Sequence, residues 1–312
     1  MKPQEEAPNP FRDRLVHGPP LLLDGGLGSE LDRRGVDVGL PLWSAGALLQ
    51  DPAALLAVHR EYAEAGADVI ATDTFRTQQR TLDKAGVTES AADLTAIAVN
   101  VARAAVTVAG SPAFIAGSMG PLEDCYQPGL VPDAATLERE HTEGAQLLAA
   151  AGVDLIMVET INTGREAVAA ARAALATELP VLVSLVCDAQ GKMLSGDDPG
   201  KVAASLAGIG VDGVLINCAP APDLLRGLRR IADACESAGV ATGGYGNVGH
   251  ADEEGGWVNT DAVDPKAYAR HAATWLDAGA RLIGSCCGTT PDHTRALRVL
   301  INGRSGVFTA AT

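Results

Sequence analysis

Short apolar segments alternate with longer segments of mixed polar and apolar residues along most of this chain. The apolar segments contain mainly Val, Ile, Leu and Ala and are not interrupted at every second position by polar residues. Such runs are typical of parallel strands buried on both faces, and the longer segments have the spacing of covering helices. Strands are predicted at residues 21–24, 67–72, 113–118, 154–159, 181–186, 214–218, 240–245 and 280–286. Helices are predicted at residues 45–65, 91–109, 137–151, 165–175, 201–208, 224–238, 265–278 and 292–297.

A repeated junction supports this alternation. It consists of a helix end, a glycine that can cap the helix, and the start of a strand. Its copies are Ala65-Gly66-Ala67-Asp68, Ala151-Gly152-Val153-Asp154, Ala278-Gly279-Ala280-Arg281 and, in part, Ile209-Gly210-Val211-Asp212. Repetition of one helix-to-strand unit predicts an α/β fold.

Eight such units predict a single (β/α)8 TIM barrel over residues 20–303. A doubly wound sheet is the alternative, but polar residues follow many of the strands and not only one switch point, which favours the barrel. Residues 1–19 are predicted to be an N-terminal arm, flexible or draped over the surface, and residues 304–312 a C-terminal tail.

Three cysteines follow predicted strands. Cys286 and Cys287 lie between Gly284 and Gly288, and Cys218 follows Asn217 in a similar setting. The strand ends of a barrel converge on one mouth, so three thiolates could hold a zinc ion and leave one coordination position open. Three buried cysteines packed as small apolar residues are the alternative. A vicinal disulfide between Cys286 and Cys287 is a further alternative, but its ring would be strained.

The remaining cysteines give weaker signals. Cys235 is predicted to pack within a helix, Cys187 to pack beside the fifth strand, and the loop residue Cys125 has no assigned role.

Two carboxylates also end predicted strands within apolar surroundings. Burial of Asp24 or Glu159 is costly without a partner, and a substrate ammonium group is one candidate partner. A helix cap or an internal ion pair is the other reading. The turn Gly25-Gly26-Leu27-Gly28 resembles a phosphate-binding loop, although a glycine-rich turn alone is weak evidence for a phosphate ligand.

Composition narrows the choice of partners. The 312 residues carry a formal net charge of −15, which argues against a nucleic-acid partner. The first twenty residues lack the apolar core of a secretion signal, and no uninterrupted apolar run is long enough to cross a bilayer. The chain is therefore expected in the cytoplasm, away from membranes, where its thiols stay reduced.

Taken together, these motifs resemble the homocysteine S-methyltransferase family. The matching pieces are Leu23-Asp24-Gly25-Gly26, Thr72-Asp73-Thr74-Phe75, Gly117-Ser118-Met119-Gly120-Pro121, Val158-Glu159-Thr160, Asn217-Cys218 and Gly284-Ser285-Cys286-Cys287-Gly288. The resemblance implies a (β/α)8 barrel in which Cys218, Cys286 and Cys287 hold catalytic zinc. It also implies that Asp24 and Glu159 lie beside the bound amino acid. Further substrate contacts are expected from Ser118, Thr74, Asn217, Trp43 and Tyr245.

The segment Pro41-Leu42-Trp43-Ser44-Ala45 is similar to the subfamily that uses S-methylmethionine. Tyr245-Gly246-Asn247 departs from the commoner Tyr-Pro-Asn, Ser285 stands where Gly is frequent, and the segment after Pro121 does not match that subfamily closely. The expected reaction moves a methyl group from a sulfonium, S-methylmethionine or S-adenosylmethionine, to the thiolate of homocysteine. Another thiol or selenol acceptor, another donor, and a non-catalytic zinc- or thiol-binding protein are the alternatives. The expected partners are small molecules, with a homo-oligomer left open.

Aromatic residues support a sulfonium donor. Five of the eleven aromatic residues are predicted in loops that follow strands: Trp43, Phe75, Tyr126, Tyr245 and Trp257. Ring faces attract a positive charge. The loop from Gly246 to Asp264 contains Trp257 and is expected to close over the donor.

Overall fold

Eight parallel strands form a barrel in the computed structural model, which describes residues 9–251 and 256–304. The strands are β1 (Leu21–Leu22), β2 (Val69–Ala71), β3 (Phe114–Met119), β4 (Leu155–Ile161), β5 (Val181–Val186), β6 (Gly213–Pro220), β7 (Ala241–Asn247) and β10 (Leu282–Ser285). Their order around the barrel is β1-β10-β7-β6-β5-β4-β3-β2. A parallel bridge from Leu23 to Val69 joins the two ends of this order. The predicted (β/α)8 barrel is therefore confirmed.

Helices pack around the barrel. They are α1 (Pro10–His17), α2 (Leu27–Arg33), α3 (Ala47–Gln50), α4 (Pro52–Glu64), α5 (Gln79–Ala85), α6 (Ala91–Ala109), α7 (Ala134–Ala151), α8 (Gly164–Leu175), α9 (Pro199–Ile209), α10 (Ala221–Ala238), α11 (Pro265–Asp277) and α12 (Pro291–Arg304). A short antiparallel hairpin, β8 (Gly249–Ala251) with β9 (Trp257–Asn259), lies within the predicted loop from 246 to 264.

The repeated junctions lie at the bottom of the barrel, at the amino ends of the strands. Gly66, Gly152, Gly210 and Gly279 all have φ between 82° and 97°, a conformation that suits glycine. The aspartate two residues after the first three of these glycines accepts a backbone N–H at 2.7–2.8 Å from the neighbouring strand. These pairs are Asp68 with Leu22, Asp154 with Ile115 and Asp212 with Val181. The repeat therefore fixes how each strand begins beside its neighbour.

The predicted arm contains a helix that plugs the bottom of the barrel. Helix α1 begins after Asn9, whose side chain accepts from the N–H groups of Phe11 and Arg12. Phe11 and Leu15 pack with the side chains inside the barrel, and the Phe11 ring meets Phe114 edge-on at 5.4 Å. The expectation of a flexible or surface-draped arm is thus wrong for residues 10–17. Residues 1–8 and 305–312, which include nearly all of the predicted tail, lie outside the described residues.

The helix predicted over residues 45–65 is divided. A 3₁₀ turn (Trp43–Gly46) and α3 precede α4, which begins at Pro52. The Asp51 side chain accepts from the N–H of Ala54 at 2.9 Å, so it caps a new helix at this point. Pro52 suits the first helical position because it has no N–H to leave unpaired.

Among the described helices, α6 alone has the length and hydropathy that a membrane span requires. Its Leu94, Ala98, Ala102 and Ala105 are fully buried in the protein. The apolar character of α6 is accounted for by its packing against the barrel.

Candidate active site

The carboxyl ends of the barrel strands open into a cavity of about 870 Å³. Eight of the ten predicted site residues line this cavity: Asp24, Trp43, Ser118, Glu159, Cys218, Tyr245, Cys286 and Cys287. Residues far apart in the chain are therefore brought together at one mouth, as the barrel prediction requires.

Two strands leave regular geometry at this mouth. Cys218 has φ of 51° and Thr160 has φ of 59°, values that side-chain-bearing residues rarely adopt. The pairing register shifts at both places, after Asn217 in β6 and after Val158 in β4. The Asn217 amide donates to the Thr160 hydroxyl at 2.7 Å and links the two irregular points. Strain of this kind is found where a side chain must be aimed at a site.

The three sulfurs form a compact group. The Sγ atoms of Cys218 and Cys286 are 3.0 Å apart, those of Cys286 and Cys287 are 3.9 Å apart, and all three lie within 4.8 Å of one another. Thiolates bound tetrahedrally to zinc at about 2.3 Å would lie roughly 3.8 Å from each other. The observed spacing brackets this value, so the cluster fits a zinc ion with three sulfur ligands.

Backbone contacts hold the Cys286–Cys287 turn in place. The Cys286 N–H donates to the Gly246 carbonyl at 2.8 Å, and the Cys287 N–H donates to the Asn247 side chain at 3.0 Å. Gly288 has φ of 79°, and its N–H donates to the Ser29 hydroxyl at 3.0 Å. These hydrogen bonds therefore fix the backbone of the turn.

The thiols share their protons. The pKa of Cys218 is lowered well below its usual range because the Cys286 and Cys287 thiols donate hydrogen bonds to it. The pKa of Cys286 is raised by the same interaction with Cys218. The hydrogen bonds therefore favour the thiolate form at Cys218.

The two predicted carboxylates lie in the same cavity as the cluster, with Asp24 buried and Glu159 partly buried. One Asp24 oxygen accepts from the Ala71 N–H at 3.0 Å, and one Glu159 oxygen accepts from the Tyr245 hydroxyl at 3.0 Å. Burial raises the pKa of Glu159 to about 7, and burial also raises the pKa of Asp24 well above its usual range. Glu159 contributes further to the shift of the Asp24 pKa by charge repulsion. A cation placed between these carboxylates would relieve both costs.

Thr74 and Asn217 do not line the cavity. The Thr74 hydroxyl donates to the Ser118 carbonyl at 2.6 Å, and Asn217 is fully buried behind Thr160. Asp73 lines the cavity next to Thr74, although sequence reasoning selected the threonine. The charge of Asp73 was the available signal in the sequence. A carboxylate that follows a buried strand costs more free energy to leave unpaired than a threonine hydroxyl does, so Asp73 was the better candidate for a ligand contact.

The glycine turn after β1 serves packing. A side chain at Gly25 would strike Tyr62, one at Gly26 would strike the Cys286 carbonyl, and one at Gly28 would strike the Trp43 indole. Close approach of these groups explains the glycines without a phosphate ligand.

All five aromatic residues predicted at strand-end loops line the cavity wall. Trp43 and Trp257 are partly exposed at its mouth, whereas Tyr245 is buried. The cavity therefore combines thiols, carboxylates and ring faces.

The other cysteines fall into two groups. Cys125 lines the cavity without joining the sulfur cluster. Cys187 and Cys235 are buried in the core, as their predicted packing roles require.

Comparison with known proteins identifies relatives of the whole barrel. The family model described as homocysteine S-methyltransferase matches residues 21–301. The chain is 31% identical to Homocysteine S-methyltransferase 1 of Zea mays over 91% of its length and 95% of the relative's. It is 29% identical to a selenocysteine Se-methyltransferase of Brassica oleracea var. italica, over 93% and 91% of the two chains. The metallated form of the Escherichia coli homocysteine methyltransferase MmuM superposes with a TM-score of 0.80 at 28% identity, over 93% of this chain and 99% of that one.

Proposed function

Because the chain belongs to the homocysteine S-methyltransferase family and is a methyltransferase, we propose that it moves a methyl group from a sulfonium donor to the thiolate of homocysteine. S-methylmethionine is the proposed donor, S-adenosylmethionine the second choice, and methionine the product. The observation that carries this proposal is the meeting of three thiols and two carboxylates in one cavity.

The sulfur cluster suits zinc as the resident metal. Zinc held by Cys218, Cys286 and Cys287 supplies a Lewis acid with an open position, which lowers the pKa of an acceptor thiol and keeps it as thiolate near neutral pH. Cys218 is already the most acidic thiol of the three, and the fixed Cys286–Cys287 turn presents the other two sulfurs. The cluster requires reduced thiols, so we place the enzyme in the cytoplasm.

Asp24 and Glu159 hold the acceptor's ammonium group in this proposal. Both carboxylates lie in the cavity wall and have raised pKa values, so each gains from a nearby cation. Tyr245 fixes the orientation of Glu159 through their hydrogen bond. The acceptor sulfur then lies toward the cysteines, with its amino-acid end at the carboxylates.

The transfer step needs no general acid. The acceptor thiolate forms a bond to the methyl carbon while the bond from that carbon to the sulfonium sulfur breaks. The bonding pair returns to the donor sulfur, which leaves as a neutral thioether, and the proton lost from the acceptor thiol goes to solvent. Trp43 and the other ring faces attract the sulfonium charge, and the chain's remaining contribution is alignment.

A donor and acceptor panel tests the proposal. Methionine formation from homocysteine is measured with S-methylmethionine, S-adenosylmethionine, betaine and methyltetrahydrofolate, and selenocysteine replaces homocysteine in a parallel series. We expect S-methylmethionine to be preferred and Trp43→Ala to raise its KM by a few-fold to about tenfold. Activity with methyltetrahydrofolate and none with either sulfonium would contradict the donor assignment.

A further inference from the structure

A third carboxylate in the cavity has no role in the scheme above. Asp73 follows β2, is 1% exposed and lines the cavity wall. One of its oxygens accepts from the Ser44 hydroxyl at 2.6 Å, and the other, Oδ2, has no hydrogen-bond partner within the part of the chain that is described. A buried carboxylate oxygen without a partner costs free energy, which a ligand with donor groups would recover.

An arginine three positions further on has a matching deficit. Arg76 lines the same cavity, and its Nε is buried without a partner among the described residues. Its guanidinium lies 5.5 Å from the centre of the Phe75 ring and donates one hydrogen bond to the Glu123 carbonyl at 3.3 Å. Neither Asp73 Oδ2 nor Arg76 Nε has a hydrogen-bond partner among the described residues, so these two atoms do not pair with each other. The cavity wall therefore contains a buried acidic atom and a buried basic atom that are both unpaired.

One chemical class satisfies both groups. An α-amino acid carries an ammonium group that Asp73 can accept from and a carboxylate that a guanidinium binds well. The acceptor's ammonium is already assigned to Asp24 and Glu159, so these two residues would serve a second amino acid. A sulfonium derived from methionine is an amino acid with its positive sulfur several bonds from the ammonium.

We infer that Asp73 and Arg76 form a second amino-acid subsite, which binds the ammonium and carboxylate of the methyl donor and so selects a zwitterionic amino-acid sulfonium. This inference rests on the proposed function and adds the residues that read the donor. Ser44 belongs to the 3₁₀ turn that also contains Trp43, so its hydrogen bond to Asp73 places the carboxylate near that turn.

Binding stoichiometry tests the subsite apart from turnover. Demethylated donor and methylated acceptor are both methionine, so L-methionine titrated into the zinc-loaded enzyme in a calorimeter should fill two sites. Asp73→Asn should leave one site, Glu159→Gln should leave the other, and the exposed control Asp233→Asn should keep both. A single site in the wild type, or two sites in Asp73→Asn, would overturn the inference whether or not the enzyme turns over.

Truncated donors test which residue reads which group. Dimethylsulfoniopropionate keeps a carboxylate, one carbon closer to the sulfur, and lacks the ammonium, whereas (3-aminopropyl)dimethylsulfonium keeps the ammonium and lacks the carboxylate. Asp73→Asn should lower the preference for S-methylmethionine over dimethylsulfoniopropionate, measured as a ratio of kcat/KM, by about ten- to a hundredfold. Arg76→Gln should lower the preference over the aminopropyl compound to a similar extent.

A purely structural role for Asp73 predicts different results. Ser44→Ala removes the hydrogen bond to Asp73 and keeps the carboxylate, so under the inference it leaves the donor preference within about threefold of wild type. If Ser44→Ala and Asp73→Asn shift the preference equally, Asp73 acts by positioning Trp43 and the subsite is wrong. If no sulfonium is a donor while methionine still fills two sites, the proposed transfer fails and the subsite stands.

Discussion

Hydrogen bonds among the three thiols make the cysteines of the cluster depend on one another. Cys218 has the lowered pKa because two thiols donate to it, and its left-handed backbone brings its sulfur to 3.0 Å from that of Cys286. Each sulfur therefore depends on the other two. Removal of one should disturb the whole cluster and not only subtract one ligand.

Replacement of one ligand should abolish zinc binding. We expect about one zinc per chain in the wild type and under about a tenth of that in Cys286→Ser, because a neutral hydroxyl is a poor zinc ligand. Metal content after gel filtration, measured by mass spectrometry, checks this expectation. Cys125→Ser is the matched control because Cys125 lines the cavity outside the cluster. Full zinc content in Cys286→Ser would remove the basis of the metal assignment.

The neutral isostere at position 159 should weaken homocysteine use and leave zinc in place. Under the proposed function, Glu159→Gln removes the charge that binds the acceptor's ammonium, at a cost on the order of 1.5–3 kcal/mol. The KM for homocysteine should rise by about ten- to a hundredfold. The exposed Glu143→Gln should behave like wild type. Loss of zinc or of the fold in Glu159→Gln would show instead that Glu159 is structural.

Residue types in the sequence predicted much of the site. The placement of its other residues depends on backbone geometry that the sequence does not show. A pair of cysteines framed by glycines, and carboxylates that follow apolar strands, predicted the sulfur cluster and the placement of Asp24 and Glu159. Thr74 was misplaced because the chain leaves strand geometry after β2, where alternation no longer tells which side chain faces the cavity. The positive φ of Cys218 has no signature in the sequence.

At the scale of elements, the repeated glycine junction made the barrel predictable. Each junction joins a local signal, a glycine with positive φ, to a contact with the neighbouring strand. Helix α1 was not predicted from the sequence, because its burial depends on the open bottom of the assembled barrel. That opening cannot be inferred from the local sequence pattern. Asn9-Pro10 was the available clue, since Asn before Pro marks a helix start.

The plug formed by α1 should stabilise the fold without touching the chemistry. Phe11→Ala leaves a space among the side chains inside the barrel and should lower the free energy of unfolding by about 3–5 kcal/mol. The fall should appear in urea denaturation, with kcat/KM near the wild-type value at temperatures where the variant is folded. Val16→Ala, on the exposed face of α1, should change stability little. Equal stability of the two variants would show that α1 does not close the core.

At the scale of the whole molecule, the carboxylates at the bottom of the barrel and those at its mouth differ in whether they form ion pairs. At the bottom of the barrel, Asp68 pairs with Arg298 at 2.6 Å and Asp212 pairs with Arg12 at 2.7 Å. At the mouth, Asp24 and Asp73 are buried and Glu159 is partly buried, and the ion pairs of the described residues do not include them. The carboxylates at the bottom therefore form ion pairs within the fold, whereas those at the mouth are available to pair with a cationic group of a ligand.

This difference predicts an unusual response of stability to pH. Burial raises the pKa of Asp73 and of Glu159 to about 7 from ordinary values of 3.8 and 4.5. Between those values the folded chain holds protons that the unfolded chain has lost, so these groups lower the free energy of unfolding as pH rises toward 7. The loss is complete above pH 7, where both carboxylates are charged in either state.

Asp73→Asn should therefore stabilise the substrate-free protein, by an amount that grows with pH. The variant should be more stable than the wild type by on the order of 1–2 kcal/mol near pH 5 and by a few kcal/mol near pH 7.5, because the amide carries no charge to bury. His59, whose burial lowers its pKa to about 4, contributes with the opposite sign, so the difference between the two proteins is the quantity to measure by urea denaturation. Asp233→Asn, on the exposed surface of α10, should follow the wild type at both pH values. A variant at position 73 that is less stable than wild type near pH 7.5 would mean that Asp73 is paired in solution, and the donor subsite would then lose its open carboxylate.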